Sequence, residues 1–227
     1  MNDKIRYSRQ KEIVPGEAQS RPVLVIGAGA IGRQVILQLA SIGVDKFIIF
    51  DDDTVDESNI CTQGFLEAQI GRHKVEVMTE AIAAINKDAQ VVAYPDRFEE
   101  KSWAIIEKSR SKMDWAPVET IFCCIDCIEG RAKIWQAAKG KGLFIDGRMT
   151  AESMRVITVD NRDQEYYQTT LFKKSEAQGA TCTAKSTIYC ANICAGLMLS
   201  QYTKHLRKMA ITKDLLFNIL GEILEAA

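Results

Sequence analysis

Histidine is nearly absent from this chain. His73 and His205 are the two it has, and they lie far apart and make no metal-ligand pattern. An excess of charge of either sign is also missing: 29 Lys and Arg face 30 Asp and Glu, a net charge of −1. That leaves no basic footprint for nucleic acid or an anionic membrane. No apolar run reaches the roughly 20 residues needed to span a bilayer. The opening MNDKIRYSRQKEIV lacks the apolar core of a signal peptide. The expectation is a cytoplasmic protein with no nucleic-acid or membrane partner. Of seven cysteines, only Cys124 and Cys127 form a CxxC pair. A structural zinc site normally needs a second such pair, and Cys190 and Cys194 are instead spaced i, i+4 on an expected helix. No structural zinc is therefore expected, and Cys123, Cys124, Cys190 and Cys194, all in apolar runs, read as reduced core thiols.

What is present is ordinary in amount and unusual in arrangement. The 227 residues, 47% hydrophobic and 26% charged, suit one large globular domain or one and a half smaller ones. Residues 23–32 read VLVIGAGAIG. An apolar, β-branched run ends in Gly27, Gly29 and Gly32, and a helical pattern starts at once. This is the glycine turn of a nucleotide-binding βαβ unit. The first glycine makes the turn, the second admits a phosphate close to the backbone, and the third lets helix and strand pack. The helix N-terminus then offers free N–H groups to an anion.

The rest of the chain alternates. The first helix buries Ile31, Val35, Leu39 and Ile42 and stops at Gly43. KFIIF at 46–50 is a strand running into Asp51, Asp52 and Asp53. A helix after Gly71 carries Val75, Met78, Ile82 and Ile85 on one face. QVVAY at 90–94 is a strand, SWAIIEK at 102–108 a helix, and VETIFCCID at 118–126 a buried strand. A helix over 129–140 and a strand LFID at 143–146 complete the series. This order predicts an α/β fold: a doubly wound, mostly parallel, Rossmann-like sheet. After it come MRVITVD at 154–160, an antiparallel strand, a short helix near EYYQTTLF, and a long helix over 184–206. Leu216, Leu220, Ile223 and Leu224 give 213–225 the period of an amphipathic helix. The domain reading is an N-terminal segment 1–20, one nucleotide-binding domain 21–208, and a C-terminal amphipathic helix 209–227.

A glycine turn of this kind usually binds a dinucleotide, and Asp51, 22 residues after Gly29, stands where a ribose-binding acid belongs. A dinucleotide gives no reason for Asp53, Asn59, Gln63 and Lys74 directly after that acid, or for Asp126 at the end of the fourth strand. Ligands of such sheets sit at the carboxyl ends of the strands, and Asp51, Lys74 and Asp126 converging there describe a nucleoside triphosphate with magnesium better. An NAD-dependent oxidoreductase remains an alternative at this stage. Taken singly, Lys74 also reads as a solvated lysine, and Asp126 as a helix N-cap.

Five segments in order over residues 5–131 carry a resemblance: RYSRQ, VLVIGAGAIG, FDDDTVDESNICTQGF, GRHKVEV and CCIDCIEGR. The chain resembles the ThiF/MoeB/HesA group of ubiquitin-activating-type adenylyltransferases. The resemblance implies activation of the C-terminal glycine carboxylate of a small ubiquitin-like (β-grasp) or sulfur-carrier protein, with ATP and Mg²⁺, by a homodimer that releases pyrophosphate. It implies that Gly27, Gly29 and Gly32 lie against the nucleotide and that Asp51 holds the ribose. Asp53 joins that set; Asn59 and Gln63 order the phosphate-side loop, and Lys74 neutralises phosphate charge. Asp126 binds magnesium, Arg131 supports its loop, and Arg9 reaches into the partner subunit's site. No general base is required, because the attacking carboxylate is already ionised. Cys182 stands where family members place a cysteine for a thioester or persulfide step; an unreactive thiol before a helix fits it equally. Arg148, in DGRMTAE, reads as a loop arginine able to meet the incoming tail. One departure stands out: Thr62 occupies the place of an arginine that the family sets between the asparagine and the glutamine, and Arg72 and Arg33 are the nearby basic residues. A non-catalytic, nucleotide-binding scaffold is the alternative that this departure raises.

Overall fold

The structure is a computed structural model that describes residues 6–172 and 187–227. Its centre is one eight-stranded sheet in the order β3-β2-β1-β4-β5-β6-β7-β8. Strands β1 (Val23–Ile26), β2 (Lys46–Phe50), β3 (Gln90–Tyr94), β4 (Thr120–Cys123) and β5 (Leu143–Thr150) run parallel. Strands β6 (Ser153–Val159), β7 (Asp214–Asn218) and β8 (Ile223–Ala226) continue the sheet antiparallel. The helices are α1 (Ala30–Ile42), α2 (Ser58–Gln63), α3 (Lys74–Ile85), α4 (Ser102–Lys112), α5 (Ile128–Ala138), α6 (Gln164–Thr169) and α7 (Ile188–Leu206).

The uninterrupted apolar runs of the inner strands have a simple cause: both faces of the sheet are covered. Val23 and Val25 point into a core shared with Ile31, Val35 and Leu39 of α1, Met78 and Ile82 of α3, and Cys194, Met198 and Tyr202 of α7. Leu24 and Ile26 point the other way, into a core with Ile106 of α4, Trp135 of α5 and Tyr167 of α6. Successive strand side chains alternate between faces, so an apolar residue at every position is required here. Helix α1 ends as its sequence dictates. Gly43 adopts φ +106° and its N–H reaches the Ala40 carbonyl at 3.2 Å.

The fold class expected from the sequence is observed, with three differences. The strand begun by LFID continues to Thr150, so Arg148 lies in β5 and not in a loop. The long helix is seen from Ile188; 184–186 fall outside the described residues. The expected C-terminal amphipathic helix is not formed. Residues 214–226 make the β7–β8 hairpin, in the register Leu215↔Ala226 to Asn218↔Ile223. Its exposed large hydrophobic residues are Leu216, Leu220, Ile223 and Leu224, the four that gave the helical period. The buried hydrophobic residue is Leu215. β6 presents an open edge, and pairing Ile157↔Asp214 to Ser153↔Asn218 satisfies it. Asp214 adds two hydrogen bonds from Arg155, at 2.9 and 2.5 Å. Gly221, which would cost a helix interior about 1 kcal/mol, donates instead to Asn218 Oδ1 in the turn. Non-local pairing outweighs the local period.

Candidate active site

Strand order reverses between β1, whose chain proceeds to β2 and β3 on one side, and β4, which lies on the other. The carboxyl ends of β1 and β4 therefore open a crevice, the place where doubly wound sheets bind ligands. The glycine turn stands at this point. Gly27 has φ +92°, and a Cβ there would lie 2.9 Å from the Cys124 carbonyl oxygen of the strand next door. A Cβ on Gly32 would lie 1.8 Å from the Gly27 carbonyl oxygen. Both positions thus exclude any side chain, and α1 starts close against the turn.

Asp51, at the end of β2, accepts from the Ala28 N–H at 2.5 Å and from the Asp53 N–H at 2.9 Å. Its carboxylate thus fixes the glycine turn from the neighbouring strand. Burial pushes its pKa up, and the Ala28 N–H and the Lys74 charge pull against that. The Asp51–Asp53 corner leads to Lys74 through backbone and side chain together. Lys74 N–H donates to the Asp53 carbonyl at 3.1 Å, and its Nζ to Asp53 Oδ2 at 2.8 Å. The Lys74 side chain is only 5% exposed, whereas Asp53 is 64% exposed. A buried ammonium at the start of α3, on the positive end of the helix dipole, is unfavourable unless an anion sits near it. Asp53 supplies one, and its open side leaves room for another.

Asn59, buried in α2, accepts from the Asp56 N–H at 3.2 Å and orders the turn into that helix. Gln63 closes the same helix; its carbonyl accepts from Gln34 Nε2 of α1 at 3.0 Å. Its side-chain Oε1 is buried with no hydrogen-bond partner among the described residues. That oxygen is 3.7 Å from where a Cβ on Gly29 would be. Hydrogen bonds thus join the glycine turn, Asp51, Asp53 and Lys74, and the Gln63 side chain lies against Gly29. Thr62 donates to the Ser58 carbonyl at 2.8 Å within its own helix.

Asp126 follows β4, exposed and without an ion pair among the described residues. Magnesium in phosphate sites takes one or two carboxylates and completes its shell with phosphate oxygens and water. Asp126 fits that donor set as a single carboxylate facing solvent at the mouth of the crevice; among the described residues no group of three or more His, Cys, Asp or Glu makes an all-protein metal site.

Arg131 bonds the backbone beside Asp126, through partners that the sequence did not disclose. Its Nη2 donates to the carbonyls of Ile125, at 2.5 Å, and Gly147, at 2.8 Å. Its Nε donates to Asp146 at 2.9 Å. Asp146, wholly buried in β5, also accepts from Arg148 Nε at 2.7 Å and Tyr167 Oη at 2.9 Å. Burial pushes the Asp146 carboxyl up, but the two guanidinium charges outweigh it and hold the pKa below the ordinary value. Arg148 goes on to the Thr170 carbonyl at 2.8 Å. It is committed inside the protein, not presented to an incoming tail. An acid ending the buried run LFID was the signal available for Asp146 in the sequence.

Arg9 is exposed on the N-terminal segment, which is tied to the end of α1 by Gln10 Nε2 and the Ile42 carbonyl at 2.6 Å. Among the described residues, no hydrogen bond within the chain brings Arg9 to the crevice corner. Cys182 lies outside the described residues. Burial pushes the Cys123, Cys124 and Cys194 thiols up, as expected of core thiols. Among the described residues no helix is long and apolar enough to cross a membrane.

Curated relatives carry names in keeping with this corner. The chain is 36% identical over 158 residues to the adenylyltransferase and sulfurtransferase UBA4 of Debaryomyces hansenii, 64% of this chain and 34% of that protein. It is 31% identical over 121 residues to ubiquitin-like modifier-activating enzyme 5 of Dictyostelium discoideum, 51% of this chain and 31% of that one. It is 34% identical over 93 residues to the SAMP-activating enzyme E1 of Haloferax volcanii, 38% of this chain and 34% of that one. The matched region thus spans about a third of the length of these relatives. Among solved structures, PaaA superposes with a TM-score of 0.74 at 18% identity, covering 99% of this chain and 82% of that one. Escherichia coli MccB with AMPCPP and MccA superposes at 0.73 and 17%, covering 100% and 72%. These two likenesses show a shared fold. The sequence profile of the ThiF family matches residues 8–220, and the protein belongs to the ThiF family.

Proposed function

We propose that the chain is an ATP-dependent adenylyltransferase that activates the C-terminal glycine carboxylate of a small ubiquitin-like or sulfur-carrier protein. The observation that carries this reading is the Asp51 carboxylate bonded to the Ala28 N–H inside the glycine turn, with the buried Lys74 ammonium one residue pair away. A ribose-side acid that fixes the glycine turn and a phosphate-side cation are then joined through Asp53. The names of the adenylyltransferase and modifier-activating relatives support the same chemistry.

In this reading Gly27 and Gly29 let the backbone approach ATP, and Asp51 takes the ribose hydroxyls. A carboxylate oxygen of the substrate's terminal glycine forms a bond to the α-phosphorus. The bond from that phosphorus to the oxygen bridging to the β-phosphate breaks, and pyrophosphate leaves with the electron pair. Both reactants are anions, so positive charge lowers the barrier. Lys74 supplies it from one side of the corner. Magnesium, held by Asp126 and phosphate oxygens, would neutralise further charge there. Arg131 keeps Asp126 in place through the Ile125 carbonyl. Arg9 completes the site of a second subunit in a homodimer.

The test is ATP–pyrophosphate exchange with a β-grasp protein ending in Gly-Gly. Exchange is expected, and Lys74→Ala and Asp126→Ala should each reduce it by at least about a hundredfold with an unchanged circular-dichroism spectrum. Absence of both exchange and ATP binding would sink the reading. The Thr62 hydroxyl, turned back onto Ser58, favours a second reading, a nucleotide-binding scaffold without catalysis. ATP binding without adenylate formation would select it.

A further inference from the structure

Among the described residues, Arg33 is a cation beside the glycine turn that the interactions above do not explain. It lies in the first turn of α1, where its N–H bonds the Gly29 carbonyl at 2.9 Å. A positive side chain there opposes the helix dipole. The side chain is half-buried, with its guanidinium 5.2 Å from the centre of the Phe65 ring. Its Nη1 reaches the end of α2: a Cβ on Gly64 would lie 3.2 Å from it, with Ile188 of α7 on the other side. Its Nε is buried and has no hydrogen-bond partner among the described residues. Burial alone pushes its pKa down, with no carboxylate opposing that effect.

The neighbouring arginines are differently placed. Arg72 is held by Glu80 through two hydrogen bonds, at 2.9 and 2.5 Å. Arg97 pairs with Asp52, and Arg131 and Arg148 with Asp146. Arg72 is thus already neutralised, whereas Arg33 has no ion pair among the described residues. Beside it, at the same end of α2, Gln63 makes no side-chain hydrogen bond among the described residues and has its Oε1 against Gly29. An uncompensated guanidinium and an uncommitted amide flank the glycine turn, where a nucleotide's phosphates would lie. Guanidinium is also the group best suited to phosphate oxygens, through its planar fork of donors.

We propose that Arg33 binds the β- and γ-phosphates of ATP, from α1, at the corner where α2 carries Thr62 and so offers no charge of its own. This rests on the adenylation reading and adds a residue to it. The Phe65 ring braces the guanidinium plane, and Gln63 closes the same pocket.

The test is calorimetric titration of the full chain with MgATP and, separately, with AMP, which lacks the two outer phosphates. Arg33→Ala and Arg33→Gln should weaken MgATP binding by at least about tenfold and leave AMP within about twofold. The glutamine variant keeps a stem over Phe65, so a loss shared by both variants is not a loss of packing. Thermal unfolding of each variant confirms that it is folded. Arg33→Ala combined with Thr62→Arg should regain most of the MgATP affinity, because it returns a guanidinium to the same corner. MgATP affinity unchanged in both single variants, or an equal loss of AMP, overturns the role of Arg33 alone. Wild-type protein that binds neither nucleotide overturns the adenylation reading itself.

Discussion

Asp146 shows how much one side chain can organise. It is wholly buried, yet it stays ionised, because Arg131, Arg148 and Tyr167 all donate to it. Removing its charge strands Arg131, whose side chain is only 6% exposed. Breaking a buried pair in this way costs about 3–5 kcal/mol. Asp146→Asn should therefore lower the unfolding free energy at neutral pH by an amount of that order, read as a lower urea midpoint. The pH dependence has a definite sign. The folded pKa lies below the unfolded value, so the unfolded chain binds the extra proton. The stabilisation is full above about pH 4 and fades as pH falls through the folded pKa. Urea titrations from pH 6 down to pH 2 should show a shallower acid decline in the Asn variant than in the wild type. Parallel curves would mean that Asp146 is not the group responsible.

At the scale of elements, the β1–turn–α1 unit is set by steric exclusion. Gly27→Ala imposes a side chain at φ +92° against the Cys124 carbonyl, a strain of about 1–3 kcal/mol. It should lower the thermal midpoint and abolish ATP binding, whereas Gly16→Ala, with nothing within 4 Å of the new Cβ, should change stability by less than about 0.5 kcal/mol. Equal effects of the two would refute the steric account. This unit was legible in the sequence, since an apolar run, three glycines and a helical period are local signals. So was the alternation through β5, because each strand is buried on both faces and reads as a block. The β7–β8 hairpin was not legible. Leu216, Leu220, Ile223 and Leu224 keep a helical period on a surface where nothing reads it, while the edge of β6 lies about sixty residues away in the chain. The site divides in the same way. Asp51, Lys74 and Asp126 announce themselves by standing at strand and helix ends. Asp146 and Arg33 do not, because what distinguishes them, three donors on one and no acceptor on the other, is tertiary.

For the whole molecule, Arg9 stands apart from the Asp51–Lys74 corner at the switch point, and Cys182 lies outside the described residues. Arg9 is exposed, on a segment anchored to the far end of α1 through Gln10. A homodimer in which Arg9 crosses to the partner's site makes a prediction that a self-contained chain does not. Arg9→Ala and Lys74→Ala should each be inactive in pyrophosphate exchange, since each disables both sites of its own dimer. Mixed after unfolding and refolding together, equal amounts should regain about a quarter of wild-type activity, from random pairing in a twofold dimer. Half the dimers are then mixed, and each of these has one intact site: the Lys74 of one chain served by the Arg9 of the other. The second site of the same dimer lacks both residues. Recovery to that level, rising with protein concentration as dimers form, is the expected result. If Arg9 acted within its own chain, no mixture would contain an intact site, and refolding the two variants together would yield nothing.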